Sequence, residues 1–332
     1  MAKTLTERPR WDEMDKSHLP LVTAMEHYLT ACRTEGKTAK TLLDYRHKLQ
    51  RYIDWRDGTL ADLDLATARE FVAHLQSSRK WEDHPGIATS QETLSAQTVA
   101  GHVRTLKGFA TWLYEEEYLP DNRLRRLAKP KVPSRIIEVL REDEVRRLLA
   151  AVDEHKANGA RDLAILVLFL DTGLRLSELI NLALADLHLE DGWLKVLGKG
   201  GKERIVPFGS RATKVLNRYI SFFRPDDNLT DAVFVNADGT PITQNTVKML
   251  FSRLRTRAQL ARLHPHLLRH TFATSYLMAG GDVFSLQAIL GHTTLEMTRR
   301  YVNLASSHVA VQHRRYSPMD RLGQSRIVPR AG

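Results

Sequence analysis

The sequence contains a single cysteine, Cys32, among 332 residues. One thiol cannot form an internal disulfide framework, and it cannot supply the ligands of a Cys-rich zinc site. The chain also lacks an apolar run of the roughly 18 residues that a membrane span requires. The longest run, LAILVLFL at 163–170, has the length of a core-helix segment. The first residues, MAKTLTERPRW, lack the apolar segment of a secretory signal peptide. These absences favour a cytoplasmic protein with no membrane partner.

What the sequence does have is an excess of positive charge. With 49 Lys and Arg against 39 Asp and Glu, the formal net charge is +10. The excess is uneven, because residues 1–130 hold 20 basic against 19 acidic side chains, whereas residues 131–332 hold 29 against 20. This charge favours a polyanionic partner such as nucleic acid, although a surplus that serves only solubility explains it equally well.

The length accommodates two domains, and the sequence pattern places their boundary near residue 130. Residues 1–18 show no apolar period and are interpreted as a flexible arm. A four-helix unit is predicted over 19–127, with helices at about 19–36, 38–53, 66–78 and 95–117. Residues 80–94 have no helical period and predict a loop. The prolines and lysines of AKPKVPS predict a linker at 128–137.

The second domain is predicted over 138–316, followed by a basic tail at 317–332. REDEVRRLLAAVDEH predicts an amphipathic helix, RDLAILVLFLDTG a central core helix, and LSELINLAL a further helix. WLKVLGKGGKERIVPF alternates as two strands around a Gly-rich turn at 198–201, and helices are expected near 209–223 and 243–260. The fold class is therefore mainly α, with a small β-hairpin in the second domain.

The stretch from His264 to Tyr301 carries the densest set of reactive side chains. Pro265 suits the first turn of a helix, which places His266 and Arg269 on one face. Gly291 predicts a left-handed helix end just before His292. Thr293 and Glu296 predict a capping box that opens the helix of Tyr301.

Six side chains could share a site that transfers a phosphodiester to a tyrosine: Arg175, Lys199, His266, Arg269, His292 and Tyr301. The two guanidinium groups suit the phosphate oxygens. Tyrosine is a weak nucleophile and needs a base, which His266 could supply. Lys199 could protonate the departing oxygen, and His292 could hydrogen-bond the phosphate. With two arginines stabilising the charge, neither a metal nor another cofactor is required.

Each of these signals is weak when taken alone. The GKGGKE turn fails as a P-loop because no Ser or Thr follows its lysine. His264, His266 and His270 match no established zinc spacing, and His270 is interpreted as a packed core residue. Tyr276 lies in an apolar stripe and Tyr316 in the tail, so Tyr301 is preferred as the nucleophile.

Five motifs in this order resemble the tyrosine recombinases, or phage integrase family, and most closely its Xer-type and transposon-integrase branch. They are TGLRLSEL at 172–179, GKGGKER at 198–204, HPHLLRHTFAT at 264–274, LGHTT at 290–294 and TRRYVN at 298–303. The resemblance implies Arg175 and Arg269 as the phosphate-binding pair, Lys199 as general acid and Tyr301 as nucleophile. His266 and His292 match the family's two active-site histidines. It also implies that 19–127 is a core-binding (SAM-like) domain and 138–316 a catalytic domain.

The resemblance further implies a double-stranded DNA partner and a clamp around it. The candidate DNA contacts on the second and fourth helices are Lys40, Arg46, Lys48, Arg104 and Lys107. Tyr301 would form a 3′-phosphotyrosyl link, and four protomers would exchange strands through a Holliday junction without metal or ATP. The tail at 305–316 is a candidate helix that packs on a neighbouring protomer.

Alternatives stay open at this point. A type IB topoisomerase shares the same chemistry, a DNA-binding regulator could use the fold without cutting, and a zinc hydrolase is a third hypothesis. The sequence also leaves open the target site, the biological role and the need for a second recombinase or accessory factor.

Overall fold

The computed structural model describes residues 14–82, 86, 88–133, 137–198, 201–225, 230–302, 313–314, 317 and 319. The chain divides into two compact units, Met1–Arg135 and Ile136–Gly332. The division falls inside the segment 128–137, which the sequence predicts as a linker. Each unit has its own apolar core.

The described part of the first unit is a bundle of four α-helices. They are α1 (Leu21–Thr34), α2 (Ala39–Trp55), α3 (Leu65–Ser77) and α4 (Ala96–Glu115). The apolar stripe of each helix faces the others, and Met25, Tyr52, Phe71 and Phe109 lie fully buried among them. This arrangement is what the 3.6-residue period predicts.

Short polar side chains set where these helices begin. The side chains of Thr38, Asp64 and Ser95 accept a hydrogen bond from the backbone N–H three residues later, at the starts of α2, α3 and α4. Each cap satisfies an amide that the helix itself leaves unpaired. The predicted starts at Thr38 and Ser95 agree with the structure.

Two segments that the sequence leaves without structure are partly fixed. The Lys16 ammonium donates to the Glu117 carbonyl at 2.6 Å, and Ser17 accepts from the Ala61 amide. The end of the predicted arm therefore packs on the first unit, while residues 1–13 lie outside the described part. In the predicted loop at 80–94, Arg79 and Thr93 form an antiparallel bridge, so its two ends run as a short paired ribbon.

The second unit surrounds a central helix with other helices and a small sheet. Its described helices are α5 (Glu142–Ala150), α6 (Ala157–Thr172), α7 (Leu176–Ile180), α8 (Ser210–Phe222), α9 (Gln244–Arg257), α10 (Pro265–Met278), α11 (Val283–Leu290) and α12 (Leu295–Val302). Helix α6 is apolar nearly all round and is buried along most of its length, as its sequence predicts. It ends at Gly173, which adopts φ +62°.

The sheet has three antiparallel strands in the order β1-β2-β3, with β1 at Leu187–His188, β2 at Trp193–Leu197 and β3 at Glu203–Pro207. The predicted hairpin is β2 and β3, with Lys195 paired to Ile205. The two-residue strand β1 was not predicted, because so short a segment carries no alternation.

Two predicted helices are too long. REDEVRRLLAAVDEH is helical only to Ala150, and LSELINLAL stops at Ile180. Beyond Ile180 the backbone pairs with a distant segment instead, since the Leu184 amide donates to the Asp231 carbonyl and Ala183 bridges Ala232. None of the helices in the described ranges is long and apolar enough to span a bilayer.

Candidate active site

Helix α10 presents His266 and Arg269 from one face, one turn apart. Pro265 occupies its first turn, and the His264 imidazole caps it by accepting from the Leu267 amide at 2.8 Å. Arg269 points inward and is only 4% exposed. The His266 residue is exposed overall, but partial desolvation of its ring lowers its pKa, and the charge of Arg269 lowers it further.

The Arg269 guanidinium joins the ends of two helices. It donates to the Gly173 carbonyl at 2.6 Å and to the Leu290 carbonyl at 2.9 Å, and also to His292 Nε2 at 3.0 Å. These carbonyls stand at the C-termini of α6 and α11, where the helix dipole favours a cation. Burial, followed by the nearby charge of Arg175, lowers the pKa of Arg269 to about 10. The side chain is therefore still cationic near neutral pH.

Arg175 approaches the same place from the start of α7. It donates from Nη1 to Glu178 Oε1 at 2.7 Å and from Nη2 to the Gly291 carbonyl at 3.2 Å. The two arginines predicted to bind phosphate are thus held by adjacent carbonyls, those of Leu290 and Gly291. Sequence positions almost a hundred residues apart meet at one helix end.

Glu178 and Arg204 belong to this cluster, although the sequence pattern predicts no role for either. The Glu178 carboxylate accepts from Arg175 and, at 2.8 and 2.9 Å, from both terminal nitrogens of Arg204. Burial raises the pKa of Glu178, but hydrogen bonds from Arg204 and from the Arg175 backbone outweigh it and hold the pKa at about 2. Both residues stand inside quoted motifs, TGLRLSEL and GKGGKER, but nothing in the sequence pairs them.

His292 follows Gly291, which ends α11 with φ +62° as predicted. Its Nε2 accepts from Arg269, so the neutral ring carries its proton on Nδ1 and donates to Thr298 Oγ1 at 2.9 Å. Burial and the charges of Arg269 and Arg175 lower the pKa of His292 to about 4. The imidazole is therefore neutral near pH 7.

Tyr301 lies on α12 and is 4% exposed. Its ring is parallel to that of His292 within 7°, with centroids 6.3 Å apart. Its hydroxyl is hydrogen-bonded to His270 Nδ1 at 2.8 Å. His270, interpreted from the sequence as a core residue, is thus the imidazole in contact with the phenol. Helix α12 begins at Leu295, one residue later than a cap at Thr293 predicts.

Lys199 falls between β2 and β3 in the sequence and lies outside the described residues. Its proposed role stays a prediction. So does the helix expected at 305–316, which also lies outside the described residues except for 313–314.

The five predicted DNA contacts have different surroundings. Lys40 and Arg104 are exposed. Arg46 forms a two-pronged ion pair with Glu26, and Lys48 pairs with Asp44 at 2.5 Å. Lys107 donates to the carbonyls of Arg125 and Leu127 at 2.9 and 2.8 Å. A role for Lys107 in holding the end of the first unit together is therefore visible, and the sequence did not indicate it.

The described residues bring no three His, Cys, Asp or Glu side chains together as metal ligands would be. The arrangement is instead a cationic one, with three guanidinium groups around a single buried carboxylate and a neutral imidazole beside a phenol. Such a cluster suits an anion whose negative charge grows during reaction.

Similarity to known proteins extends over most of the chain. The sequence profile of the Phage integrase family matches residues 138–308. The chain is 32% identical over 305 residues to tyrosine recombinase XerD of Staphylococcus aureus, covering 89% of this chain and 99% of the relative.

Two solved structures share the fold. XerH site-specific recombinase bound to a palindromic difH substrate is 20% identical with a TM-score of 0.65, and the match covers 89% of this chain and 84% of that one. The Tn1549 transposon integrase in complex with a circular intermediate DNA is 20% identical with a TM-score of 0.66, covering 84% and 94%. On the profile match and the full-length similarity to XerD, the chain belongs to the phage integrase family, the tyrosine recombinases, which are site-specific recombinases.

Proposed function

We propose that this protein cuts and rejoins duplex DNA at a specific site through a covalent link between Tyr301 and a 3′-phosphate. The observation that carries the proposal is the convergence of Arg175, Arg269 and His292 at the C-terminus of α11, with the Tyr301 ring parallel to His292. Residues scattered over 127 positions of the chain would not meet this way to serve packing alone, since buried like charges are costly.

In the proposed step, the Tyr301 oxygen attacks the scissile phosphorus and the bond to the 5′ oxygen breaks. Arg175 and Arg269 stabilise the charge on the nonbridging oxygens, and Lys199 gives the 5′ oxygen its proton. The phenolic proton passes to an imidazole. The family motif assigns that base to His266, whereas the structure puts His270 in contact with the hydroxyl.

His292 enters this step as a neutral ring whose Nε2 faces Arg269. The hydrogen bond from His292 to phosphate that the sequence predicts requires a proton on Nε2. The phosphate would therefore have to take the place of Nε2 as the acceptor for Arg269, and the imidazole proton would move from Nδ1 to Nε2.

The 5′-hydroxyl of a second duplex reverses the step on the phosphotyrosyl link. Because one phosphodiester is exchanged for another, strand transfer needs neither ATP nor a metal ion. We infer that four protomers carry out two such exchanges in turn through a Holliday junction. The XerH structure, named as a post-cleavage complex with its substrate, supports DNA as the partner and cleavage as the reaction.

The biological task we propose is DNA integration and excision, or resolution of chromosome or plasmid dimers. In this proposal the first unit binds the core site through the exposed basic side chains Lys40 and Arg104. Arg46 and Lys48 would have to exchange Glu26 and Asp44 for phosphates.

The test is a covalent-capture experiment on nicked duplexes. The binding site is first selected from a random-sequence duplex pool, and a nick is then placed so that the freed strand diffuses away after cleavage. We expect a protein–DNA band on denaturing electrophoresis from the wild type and none from Tyr301→Phe. His266→Gln and His270→Gln, compared in the same assay, identify the base by the larger loss in rate.

The absence of a covalent band from the wild type on its selected site contradicts the proposal and favours a non-catalytic DNA-binding regulator. Relaxation of supercoiled plasmid by the monomer, without transfer to a second duplex, points instead to a type IB topoisomerase.

A further inference from the structure

Arg204 lies on β3, five residues after Lys199 in the sequence. It pairs with Val196 across the sheet, and its side chain is only 13% exposed. A buried arginine on a five-residue strand needs acceptors from elsewhere in the molecule. Its acceptors come from α11 and α7, two helices of the same unit.

The first acceptor is the Ile289 carbonyl, which takes a hydrogen bond from Arg204 Nε at 2.8 Å. This carbonyl stands in the last turn of α11. The Arg204 side chain also crosses Gly291 closely, because a Cβ at position 291 would lie 3.0 Å from Arg204 Cδ and Nε. Arg204 therefore contacts the turn that delivers His292.

The second acceptor is Glu178, which Arg204 holds with a fork of two bonds at 2.8 and 2.9 Å. Glu178 in turn accepts from Arg175 Nη1 at 2.7 Å and from the Arg175 amide at 2.8 Å. Forked, charge-assisted pairs fix orientation as well as distance. The carboxylate that orients Arg175 is thus itself oriented by Arg204.

The net charge of the site gives a second reason for an arginine at position 204. A lone Glu178 beside Arg175 would cancel the positive charge that the phosphate has to meet. With Arg204 on the same carboxylate, the group of Arg175, Glu178 and Arg204 keeps one net positive charge. Arg269 adds another, so the site keeps its attraction for an anion in a partly desolvated environment.

We propose that Arg204 is a positioning residue for cleavage: through Glu178 and the Ile289 carbonyl it sets the orientation of Arg175 and of the Gly291–His292 turn. It acts on the phosphate through Arg175, because its Nε and both terminal nitrogens already donate to protein acceptors, whereas the Nε of Arg175 donates to no acceptor among the described residues. The inference rests on the proposed function, since only a protein that binds a reacting phosphate needs Arg175 held in this way.

The experiment measures single-turnover formation of the covalent complex by Arg204→Gln and Arg204→Lys. The control is Arg218→Gln, which removes a more exposed ion pair with Glu154 in the same unit. Three nicked duplexes of one sequence are compared: a normal scissile phosphate, an uncharged methylphosphonate, and a phosphate whose 5′ bridging oxygen is sulfur.

We expect Arg204→Gln to slow cleavage of the normal phosphate by about 10²-fold, the low end for loss of a transition-state donor. Arg204→Lys keeps the charge but loses the fork, so a loss of about 10-fold is expected. On the methylphosphonate the Gln variant should come within a few-fold of wild type, because an uncharged centre needs less help from Arg175. The sulfur substrate should not restore the rate, because a better leaving group replaces only the general acid.

Three outcomes overturn the inference. Recovery on the sulfur substrate shows that Arg204 acts through the hairpin of Lys199, and an equal loss on all three substrates shows a merely structural role. If the wild type cleaves none of the three substrates, the proposed function itself is wrong. If the wild type cleaves and Arg204→Gln reacts at the same rate as Arg218→Gln, only the role of Arg204 is wrong.

Discussion

The two units bury different kinds of side chain. In the first unit the core is apolar and aromatic, and Lys16 is the one Lys, Arg, Asp or Glu buried among its described residues. In the second unit Glu178 is 6% exposed and Arg269 is 4% exposed. The second unit also buries the charged residues Glu144, Arg161 and Asp162. A buried charge costs several kcal/mol unless it is paired. The second unit therefore depends on ion pairs for stability more than the first unit does.

Not all of these pairings belong to the candidate site. Glu144 is paired with Arg262 at 2.7 Å, and Asp162 is paired with Arg161 and Arg253 at 2.9 and 3.3 Å. These contacts join α5 and α6 to other parts of the second unit. They offer matched controls, because their loss should affect stability without affecting the reaction.

The largest effect is expected from Arg269→Met. Loss of a guanidinium at the phosphate should slow covalent-complex formation by about 10³-fold. Arg262→Met, which removes the closer of the two arginines at the Glu144 carboxylate, should lower stability but leave the cleavage rate of the folded protein within a few-fold. Single-turnover capture measures the cleavage rate of each variant, and circular dichroism checks its folding. Equal slowing by the two variants would show that the Arg269 pairing is no more important for cleavage than the Arg262 pairing.

Glu178→Gln tests how much a buried, paired carboxylate contributes to the stability of the second unit at acid pH. The folded-state pKa of Glu178 is depressed to about 2, so its contribution to stability is present above the unfolded pKa near 4.5. That contribution, about 3 kcal/mol by linkage, disappears as the pH falls from about 5 toward 2. The wild-type second unit should lose protection in hydrogen exchange over this range more steeply than the variant. Identical pH profiles would show that the carboxylate contributes no such stability.

The smallest effect is expected in the first unit, from Thr38→Ala. Loss of the cap on α2 should cost about 1 kcal/mol of unfolding free energy. It should leave cleavage unchanged wherever the protein is folded. Thr30→Ala is the control, because its exposed hydroxyl donates only to the Glu26 carbonyl within α1. Denaturant unfolding followed by hydrogen exchange in α2 measures the difference, and a loss in both variants would remove the role assigned to the cap.

The same comparison explains what the sequence predicts well. The helices of the first unit follow from local signals, namely the apolar period and the caps at Thr38 and Ser95. In the second unit Pro265 and Gly291 likewise mark helix ends that the structure contains. Such features depend on residues within a few positions of one another, so one sequence is sufficient to find them.

The contacts that organise the candidate site are of another kind. Arg204 meets Glu178 across 26 positions, and His270 meets Tyr301 across 31. A lone arginine in a strand and a lone histidine in a helix have no local pattern that names a partner. For the same reason the end of α7 at Ile180 was missed, since its backbone pairs with residues near 231.

Position 173 leaves no room for a residue larger than glycine. A methyl group in place of its hydrogen would lie 2.5 Å from Phe272 on α10 and 2.8 Å from Leu290 on α11, and its φ of +62° disfavours any other residue. At this position the carbonyl of Gly173 also holds Arg269. One added carbon atom there would force the side chains of Phe272 and Leu290 to shift at the point where three helices meet. The position of Arg269 thus depends on the glycine at position 173. Variants designed to change the activity of the enzyme should keep that glycine.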